Sequence, residues 1–325
     1  MMQRVHSRFN ALLSACVLSL IATASWSQSI TWLGVLSGGR HSEAWGVSDN
    51  GVVVGWDLNA ARQWRAFRWE NGVMQDLGTL PGGSESGAYG VSADGAVVVG
   101  WSNGRAFRWQ NGVMQDLGTL GGNWSGAHGV SANGAVVVGW AENAARRWHA
   151  FRWENGVMQD LGGGIAYGVS ANGAVVVGES NGRAFRWTAA SGRMDDLGTL
   201  PGGNGSKAYG VSADGAVVVG WAANAAGRGR AFRWTASGGM EDLNTTYASL
   251  LTNGSVLGLA RAISPNGRYI VGEGYNAATG RGEAFLLDAP YTPPCNPPDG
   301  DVNGDGIVDD ADLLIVLFNF GNRCR

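Results

Sequence analysis

Short apolar runs set apart by glycine-containing turns, rather than helical stripes, carry the hydrophobic pattern from Leu33 to Leu287. One segment appears six times: AWGVSDNGVVVGW from Ala44, AYGVSADGAVVVGW from Ala88, AHGVSANGAVVVGW from Ala127, AYGVSANGAVVVGE from Ala166, AYGVSADGAVVVGW from Ala208 and ARAISPNGRYIVGE from Ala260. A second, AFRW, follows the first five copies at Ala66, Ala106, Ala150, Ala184 and Ala231, with AFLL at Ala284 for the sixth. A third, typified by MQDLGTL, follows at Met74, Met114, Met158, Met194 and Met240. Each unit therefore offers four extended segments (GVS, VVVG, AFRW, MQDLG). Asp-Gly or Asn-Gly separates the first pair and Asn-Gly or Ser-Gly the last pair, a strong hairpin signal. Valine-rich and aromatic runs between such turns are strands. Four strands in a unit of roughly 40 to 45 residues are the mark of a β-propeller blade.

The two ends of the array are complementary. The sixth unit lacks a MQDLGTL segment, whereas TWLGVLSGG near the N-terminus is a fourth-strand segment with nothing before it. The expected fold is all-β: a six-bladed propeller of four-stranded blades, closed by Thr31 to Leu36 as the last strand of the blade begun at Ala260, with a small C-terminal calcium-loop-and-helix module. An open solenoid is the competing architecture; its terminal repeats would instead be atypical caps. The insert from Thr245 to Leu259 has room for an extra strand.

Composition agrees with this pattern. Glycine makes up 54 of the 325 residues, while charged residues are only 15%, which excludes both a helical protein and a disordered one. Lys207 is the only lysine, and no basic run interleaved with aromatics offers a nucleic-acid groove.

Residues 1–27 read as a secretory signal peptide: Arg4 and Arg8, an apolar stretch from Ala11 to Ala22, then small residues, with cleavage after Ala24 or after Ser27 fitting equally. Leu13 to Cys16 also resembles a bacterial lipobox. No later apolar run is long enough to span a membrane. Residues 28–290 form the repeat domain, and 291–325 a Pro-rich linker (Pro293, Pro294, Pro297, Pro298) and a terminal module. Cys295 and Cys324 flank that module and, in an exported chain, read as a disulfide; the alternative is a free pair.

The co-occurrence of AFRW, DLGTLPGG and GVSADG over residues 30–290 resembles the HAF repeat proteins, bacterial extracellular proteins named for a His-Ala-Phe motif. The triplet is complete here only at His149, Ala150 and Phe151; the other copies read Arg-Ala-Phe or Glu-Ala-Phe. The resemblance implies a secreted repeat array without a characterised activity.

Within a blade, Phe and Trp of AFRW share one strand face, Ala and Arg the other, so the aromatic pair is expected to be core. Arg68, Arg108, Arg152, Arg186 and Arg233 each precede an aspartate in the following strand (Asp76, Asp116, Asp160, Asp196, Asp242). Pairing between them is expected, because an unpaired buried charge costs several kcal/mol.

The connections between second and third strands and from fourth strand to the next blade vary most, and both emerge on the same face. Loops on a rigid scaffold are where recognition sits, so that face is the candidate binding surface for a surface or matrix glycan or protein. Its candidate residues are Trp64, Arg65, Trp124, Arg147, Trp148, His149, Arg230 and Tyr275, an Arg and aromatic mixture of the kind enriched in hot spots. The same side chains could instead simply pack on the blade tops.

Catalysis has little support. No HExxH, GxSxG, P-loop or GxGxxG pattern occurs. His41, His128 and His149 are read as lying in three different blades, and His128, at a position otherwise held by Tyr, is expected to fill the same packing slot. No catalytic residue is assigned. A glycan-active hydrolase or a component of a polysaccharide-degrading assembly is the alternative to a non-enzymatic binding or scaffold protein.

Residues 301–312 read DVNGDGIVDDAD. Asp301, Asn303, Asp305, Asp309 and Asp312 stand at loop positions that supply side-chain oxygens, Ile307 would offer its carbonyl, and Gly306 permits the sharp turn, so calcium is the expected ion. The loop and the following LLIVLFNF resemble one type I dockerin repeat, which also closes its loop with Asp. Dockerins carry two repeats and bind cohesins; this chain has one. Leu313 to Phe320 is apolar nearly all round and must bury itself against the propeller, a partner or another copy.

Overall fold

In the computed structural model, residues 33–289 are described. The signal segment, Thr31 and Trp32, Cys295 and Cys324, the proline linker and the calcium loop lie outside them.

Twenty-three strands form six antiparallel sheets arranged as propeller blades. Blade 1 is β1 (Ser42–Val47), β2 (Val53–Leu58), β3 (Trp64–Glu70) and β4 (Val73–Asp76); blade 2 is β5 (Ser86–Val91), β6 (Val97–Ser102), β7 (Arg105–Gln110) and β8 (Val113–Asp116). Blade 3 is β9 (Gly121–Val130), β10 (Val136–Asn143), β11 (Trp148–Glu154) and β12 (Val157–Gly163); blade 4 is β13 (Ile165–Val169), β14 (Val175–Ser180), β15 (Arg183–Thr188) and β16 (Met194–Asp196). Blade 5 is β17 (Ser206–Val211), β18 (Val217–Ala223), β19 (Gly229–Thr235) and β20 (Gly239–Asp242), and blade 6 is β21 (Val256–Ile263), β22 (Tyr269–Asn276) and β23 (Arg281–Asp288). The insert before blade 6 contributes one turn of helix, α1 (Leu243–Thr246), and a short 3-10 turn, with no added strand.

Turn chemistry fixes the hairpins. Asn71-Gly72, Asn103-Gly104, Asn111-Gly112 and Asn155-Gly156 all adopt positive φ at both residues, the two-residue turn whose twist matches that of the flanking strands. The Asx-Gly sites between first and second strands are built differently: Ser92 Oγ accepts from Val97 N at 2.9 Å, and Gly95 N donates to Ser92 O at 2.9 Å. In blades 1 to 5 the equivalent serines, Ser48, Ser92, Ser131, Ser170 and Ser212, are buried, and each turn becomes a capped loop at the axis.

Those loops are linked around the axis by backbone hydrogen bonds. Asp49 N donates to Ala93 O (3.1 Å), Ala93 N to Ala132 O (3.1 Å), Ala132 N to Ala171 O (3.1 Å), Ala171 N to Ala213 O (2.9 Å) and Ala213 N to Pro265 O (2.9 Å). The series stops at Pro265, which has no N–H to pass on to blade 1. The inner strands of all six blades line a common axial cavity of about 390 Å³ on this side.

Blades pack face to face as the AFRW periodicity demands. Between blades 1 and 2, Val54, Ala66, Leu77 and Leu80 meet Val98, Phe107 and Trp109; the same set recurs between blades 2 and 3 and on to blades 5 and 6. Phe107 and Trp109 face backward and Ala106 forward, so the aromatic pair is core as expected. Blade 6 and blade 1 share no such cluster among the described residues. Val47 is 67% exposed where its counterpart Val91 packs in the core, and Leu286 is 68% exposed. This position is a seam.

Two sequence expectations change. Leu33–Leu36 is not a strand. It stands where Leu77–Leu80 stands one unit later: Ser42 Oγ donates to Gly34 O (2.8 Å) as Ser86 Oγ does to Gly78 O (2.6 Å), and Leu36 N donates to Asp57 as Leu80 N does to Ser102. It is therefore the connector into blade 1.

The AFRW arginines also have other partners. Arg68, Arg108 and Arg152 each donate Nε to a turn carbonyl of the next blade, Gly95, Gly134 and Gly173, at 3.0 to 3.1 Å. Each also reaches its own strand, to Glu70, Gln110 and Glu154 at 2.9 Å. Arg233 pairs with Glu241. Backbone carbonyls at the packed turns supply acceptors that a search for opposite charges does not reveal.

Candidate functional site

The aspartates left over by that arrangement pair with the residue before Ala-Phe in blades 1 to 5. Asp76 meets Arg65 (3.2 Å), Asp116 meets Arg105 (3.2 Å), Asp160 meets His149 Nδ1 (2.8 Å), Asp196 meets Arg183 (3.3 Å) and Asp242 meets Arg230 (3.7 Å). The position before Ala-Phe thus calls for a side chain that can donate to a carboxylate, and His149 serves as arginine does elsewhere. Its Nε2 also lies 3.0 Å from Asn143 Nδ2. Arg65, His149 and Arg230 are thereby held on the third strand, clamped to the fourth.

All eight predicted binding residues lie at the loop end of the blades, and the structure sorts them into three places. Trp64 and Arg65 sit on blade 1, where the Trp64 ring contacts Trp56 (6.0 Å) and His41 (6.3 Å). Trp124, Arg147, Trp148 and His149 sit on blade 3. Trp148, 56% exposed, stacks on Trp140 with centroids 4.7 Å apart and planes at 21°. Trp124, 52% exposed, leans over Gly104 of blade 2. Arg230 and Tyr275 belong to blades 5 and 6, and Tyr275 helps to line a shallow cavity of about 680 Å³ with Trp221 and Glu273.

Sequence reasoning missed the inner part of this surface. The second residue of the AYGVS segments forms a continuous aromatic arc: Trp45 to Tyr89 (5.7 Å), Tyr89 to His128 (5.1 Å, stacked), His128 to Tyr167 (5.5 Å) and Tyr167 to Tyr209 (5.1 Å). It ends with the Arg261 guanidinium over Tyr209 at 5.7 Å. The tryptophan that closes VVVGW forms a second tier at Trp56, Trp101, Trp140 and Trp221, with Glu179 and Glu273 in blades 4 and 6. These indoles rest on bare backbone: a Cβ on Gly87 would stand 2.7 Å from both Trp101 and Trp56, and one on Gly126 would stand 3.0 Å from Trp140. The signal was present as a repeat position, Trp at the loop end of strand two beside a glycine of strand one, but its convergence depends on the ring.

Between blades 2 and 3 the two tiers and the loop tryptophan enclose a pocket of about 330 Å³. Its outer wall is braced by buried Glu142, which accepts from Asn123 N at 2.7 Å and from Arg146 at 3.0 Å. Those bonds, the backbone one first, hold its carboxyl below the usual carboxylate range. Ser125 N donates to Gly104 O at 2.9 Å, tying Trp124 to the neighbouring blade.

His128 and His149 both belong to blade 3, not to separate blades, and they do different things. His128 fills the tyrosine slot, and burial pushes its pKa down to about 4. An unfolded histidine takes up a proton near pH 6.5. Between pH 6.5 and 4 the unfolded chain therefore binds the extra proton, and stability falls as pH falls. At pH 4.5 the loss should be about 2.5 kcal/mol, with almost none above pH 7. Denaturant midpoints for His128→Tyr and the parent should coincide near pH 7 and separate in acid, the variant being the more stable; equal acid sensitivity would refute the assignment.

Among the described residues no group of three or more His, Cys, Asp or Glu is placed to hold a metal ion. No helix there is long and apolar enough to cross a membrane.

No family model matches the sequence, and no curated protein matches it. Several solved structures are similar in part. A putative TolB from Agrobacterium tumefaciens is 15% identical at a TM-score of 0.46, covering 66% of this chain and 80% of that one. The β-propeller domain of the Trilobed protease from Pyrococcus furiosus, described as having an open velcro topology, is 8% identical at a TM-score of 0.49, covering 77% and 83%. TolB from Acinetobacter baumannii is 13% identical at 0.45, covering 61% of this chain and 52% of its own.

Proposed function

We propose that this protein is an exported, non-enzymatic binding or scaffold propeller that captures a surface or matrix glycan or protein on its loop face and carries a calcium-binding C-terminal module. The observation that supports the reading is the concentration of aromatic rings there: two inner tiers and the loop residues Trp64, Trp124 and Trp148 on one end of a rigid ring. Large amphipathic rings on a fixed scaffold give contact area at small entropic cost. The HAF repeat resemblance supports export and a repeat array, and residues 1–27 support secretion.

The screen that tests this offers surface and matrix glycans and proteins to residues 28–325, with and without calcium. Capture without turnover is the expected result; release of a shortened glycan would favour the hydrolase.

For the C-terminal module, the proposed ligands are Asp301, Asn303, Asp305, Asp309, Asp312 and the carbonyl of Ile307, the resemblance being to a single dockerin repeat. Four carboxylates in one loop repel each other until a cation sits among them. Calorimetry on residues 28–325 should give a Kd of about 0.1 to 1 mM for calcium, in the range of extracellular modules. Asp301→Ala or Asp312→Ala should abolish the heat, and Asp310→Ala, at a non-ligand position, should only weaken it. Equal losses at Asp310 and Asp312 would contradict the ligand set. Cys295 and Cys324 are proposed to close this module as a disulfide, and a cohesin-like domain is the partner its dockerin resemblance implies.

A further inference from the structure

We infer that the pocket between blades 2 and 3 binds one uncharged pyranose ring of a glycan, stacked on Trp124; this rests on the loop-face reading and gives that face a ligand class. Three features select the class. First, the walls are Tyr89, Trp101, Trp124, His128 and Trp140, and no lining residue is a carboxylate, lysine or arginine. The adjacent carboxylates are already engaged, Glu142 with Asn123 and Arg146 and Asp116 with Arg105. A sulfate or carboxylate would find no cation, and its desolvation here would go uncompensated. A quaternary ammonium would be attracted by the ring faces but would leave the polar atoms of Tyr89 and His128 without partners, whereas a sugar ring uses both faces and rim.

Second, Trp124 is a platform. A Cβ on Gly104 would stand 2.0 Å from its ring carbons, so one face of the indole lies against bare backbone while 52% of the residue remains exposed. Stacking on such a surface suits the C–H face of a pyranose, which is apolar on its face and polar around its rim.

Third, rim hydroxyls meet suitable partners. Tyr89, which lines the pocket, carries a hydroxyl that can both donate and accept. His128, kept neutral by burial, presents one donor and one acceptor nitrogen. The cavity, about 330 Å³, lies at the small end of ligand pockets, roughly 300 to 1,000 Å³, which suits one ring of a chain whose remainder runs outward.

The test is a tryptophan-fluorescence and saturation-transfer NMR titration of residues 28–325 with the methyl glycosides of glucose, galactose, mannose and N-acetylglucosamine, with choline and methyl glucuronide as charged comparators. At least one neutral glycoside should bind and the charged probes should not. Trp124→Ala should weaken that binding about tenfold or more, while Val113→Ser, 67% exposed at the Asn-Gly turn end of blade 2, should change it less than about twofold. Trp124→Phe, which keeps a ring, should retain more affinity than alanine. Unchanged melting of these variants separates loss of contact from loss of fold. Preference for choline, equal losses at Trp124 and Val113, equal losses for Phe and Ala, or no glycoside binding would each overturn the pyranose site. Loss of the pyranose site with capture in the broader screen intact would leave the loop-face reading standing.

Discussion

Trp109→Ala should destabilise the protein by about 3 to 5 kcal/mol, the usual cost of removing a buried large aromatic, whereas Trp124→Ala and Trp148→Ala should each shift stability by less than about 1 kcal/mol. Trp109 is 7% exposed and packs with Phe107 against Val54, Ala66 and Leu77 of the preceding blade. Its removal leaves a cavity between two sheets whose backbones are fixed by ladder bonds and by the axial hydrogen bonds, so little collapse can fill it. Trp124 and Trp148 are more than half exposed, and their loss uncovers little. Trp64, with two ring neighbours, should fall between. Urea midpoints for the four single variants decide the matter: loop tryptophans as costly as Trp109 would make them core and remove the binding face.

Deleting residues 28–38 should cost at least about 3 kcal/mol, from the lost burial of Leu36 and the stranded acceptor of Asp57. Leu36 is 8% exposed, and its N–H donates to Asp57 Oδ2 at 3.1 Å; Asp57 is fully buried, and no hydrogen bond reaches its Oδ1 in the structure. Burial, opposed chiefly by that backbone bond, already raises the Asp57 pKa. The repeat register adds a further expectation. Thr31 and Trp32, part of the Thr31 to Leu36 segment expected from its sequence to complete blade 6, lie outside the described residues, and the deletion removes them too. Deletion should therefore also leave the seam without its proposed closing strand, and the melting transition should drop and broaden. A truncated chain that melts like the parent would reject the closure.

Fold was legible in the sequence because the repeats state it several times over. Periodicity placed Phe107 and Trp109 on one face, turn pairs placed the hairpins, and His128 was recognised as a tyrosine substitute. What escaped were relations that exist only after the blades are set side by side. Counting charges matches the AFRW arginines to aspartates, but Arg68, Arg108 and Arg152 reach carbonyls of the next blade's turns, acceptors that a charge count does not include. The aspartates instead meet the residue before Ala-Phe, giving the His of His149-Ala150-Phe151 a physical reason. Of the expected strand Thr31 to Leu36, the described part, Leu33–Leu36, is a connector, because its likeness to LGTL belongs to the bend after the fourth strand and not to the strand itself. Pro265 marked the seam in plain view, but its meaning depends on an axial ring of N–H donors. On the loop face, the outer tryptophans were visible as loop residues, whereas Tyr89, Trp101 and Trp140 looked like ordinary repeat positions until the ring brought them around one pocket.

The most direct test compares, for whichever glycan or protein the screen captures, the affinity of the parent with that of two folded variants. One carries Trp64→Ala, Trp124→Ala and Trp148→Ala on the loop face. The other carries Val73→Ser and Val113→Ser, 66% and 67% exposed beside the Asn-Gly turns at the opposite end. The account predicts that the loop-face variant loses at least about a hundredfold in affinity while the turn-end variant binds as the parent does. Undiminished binding by the loop-face variant, or an equal loss at the turn end, would contradict it.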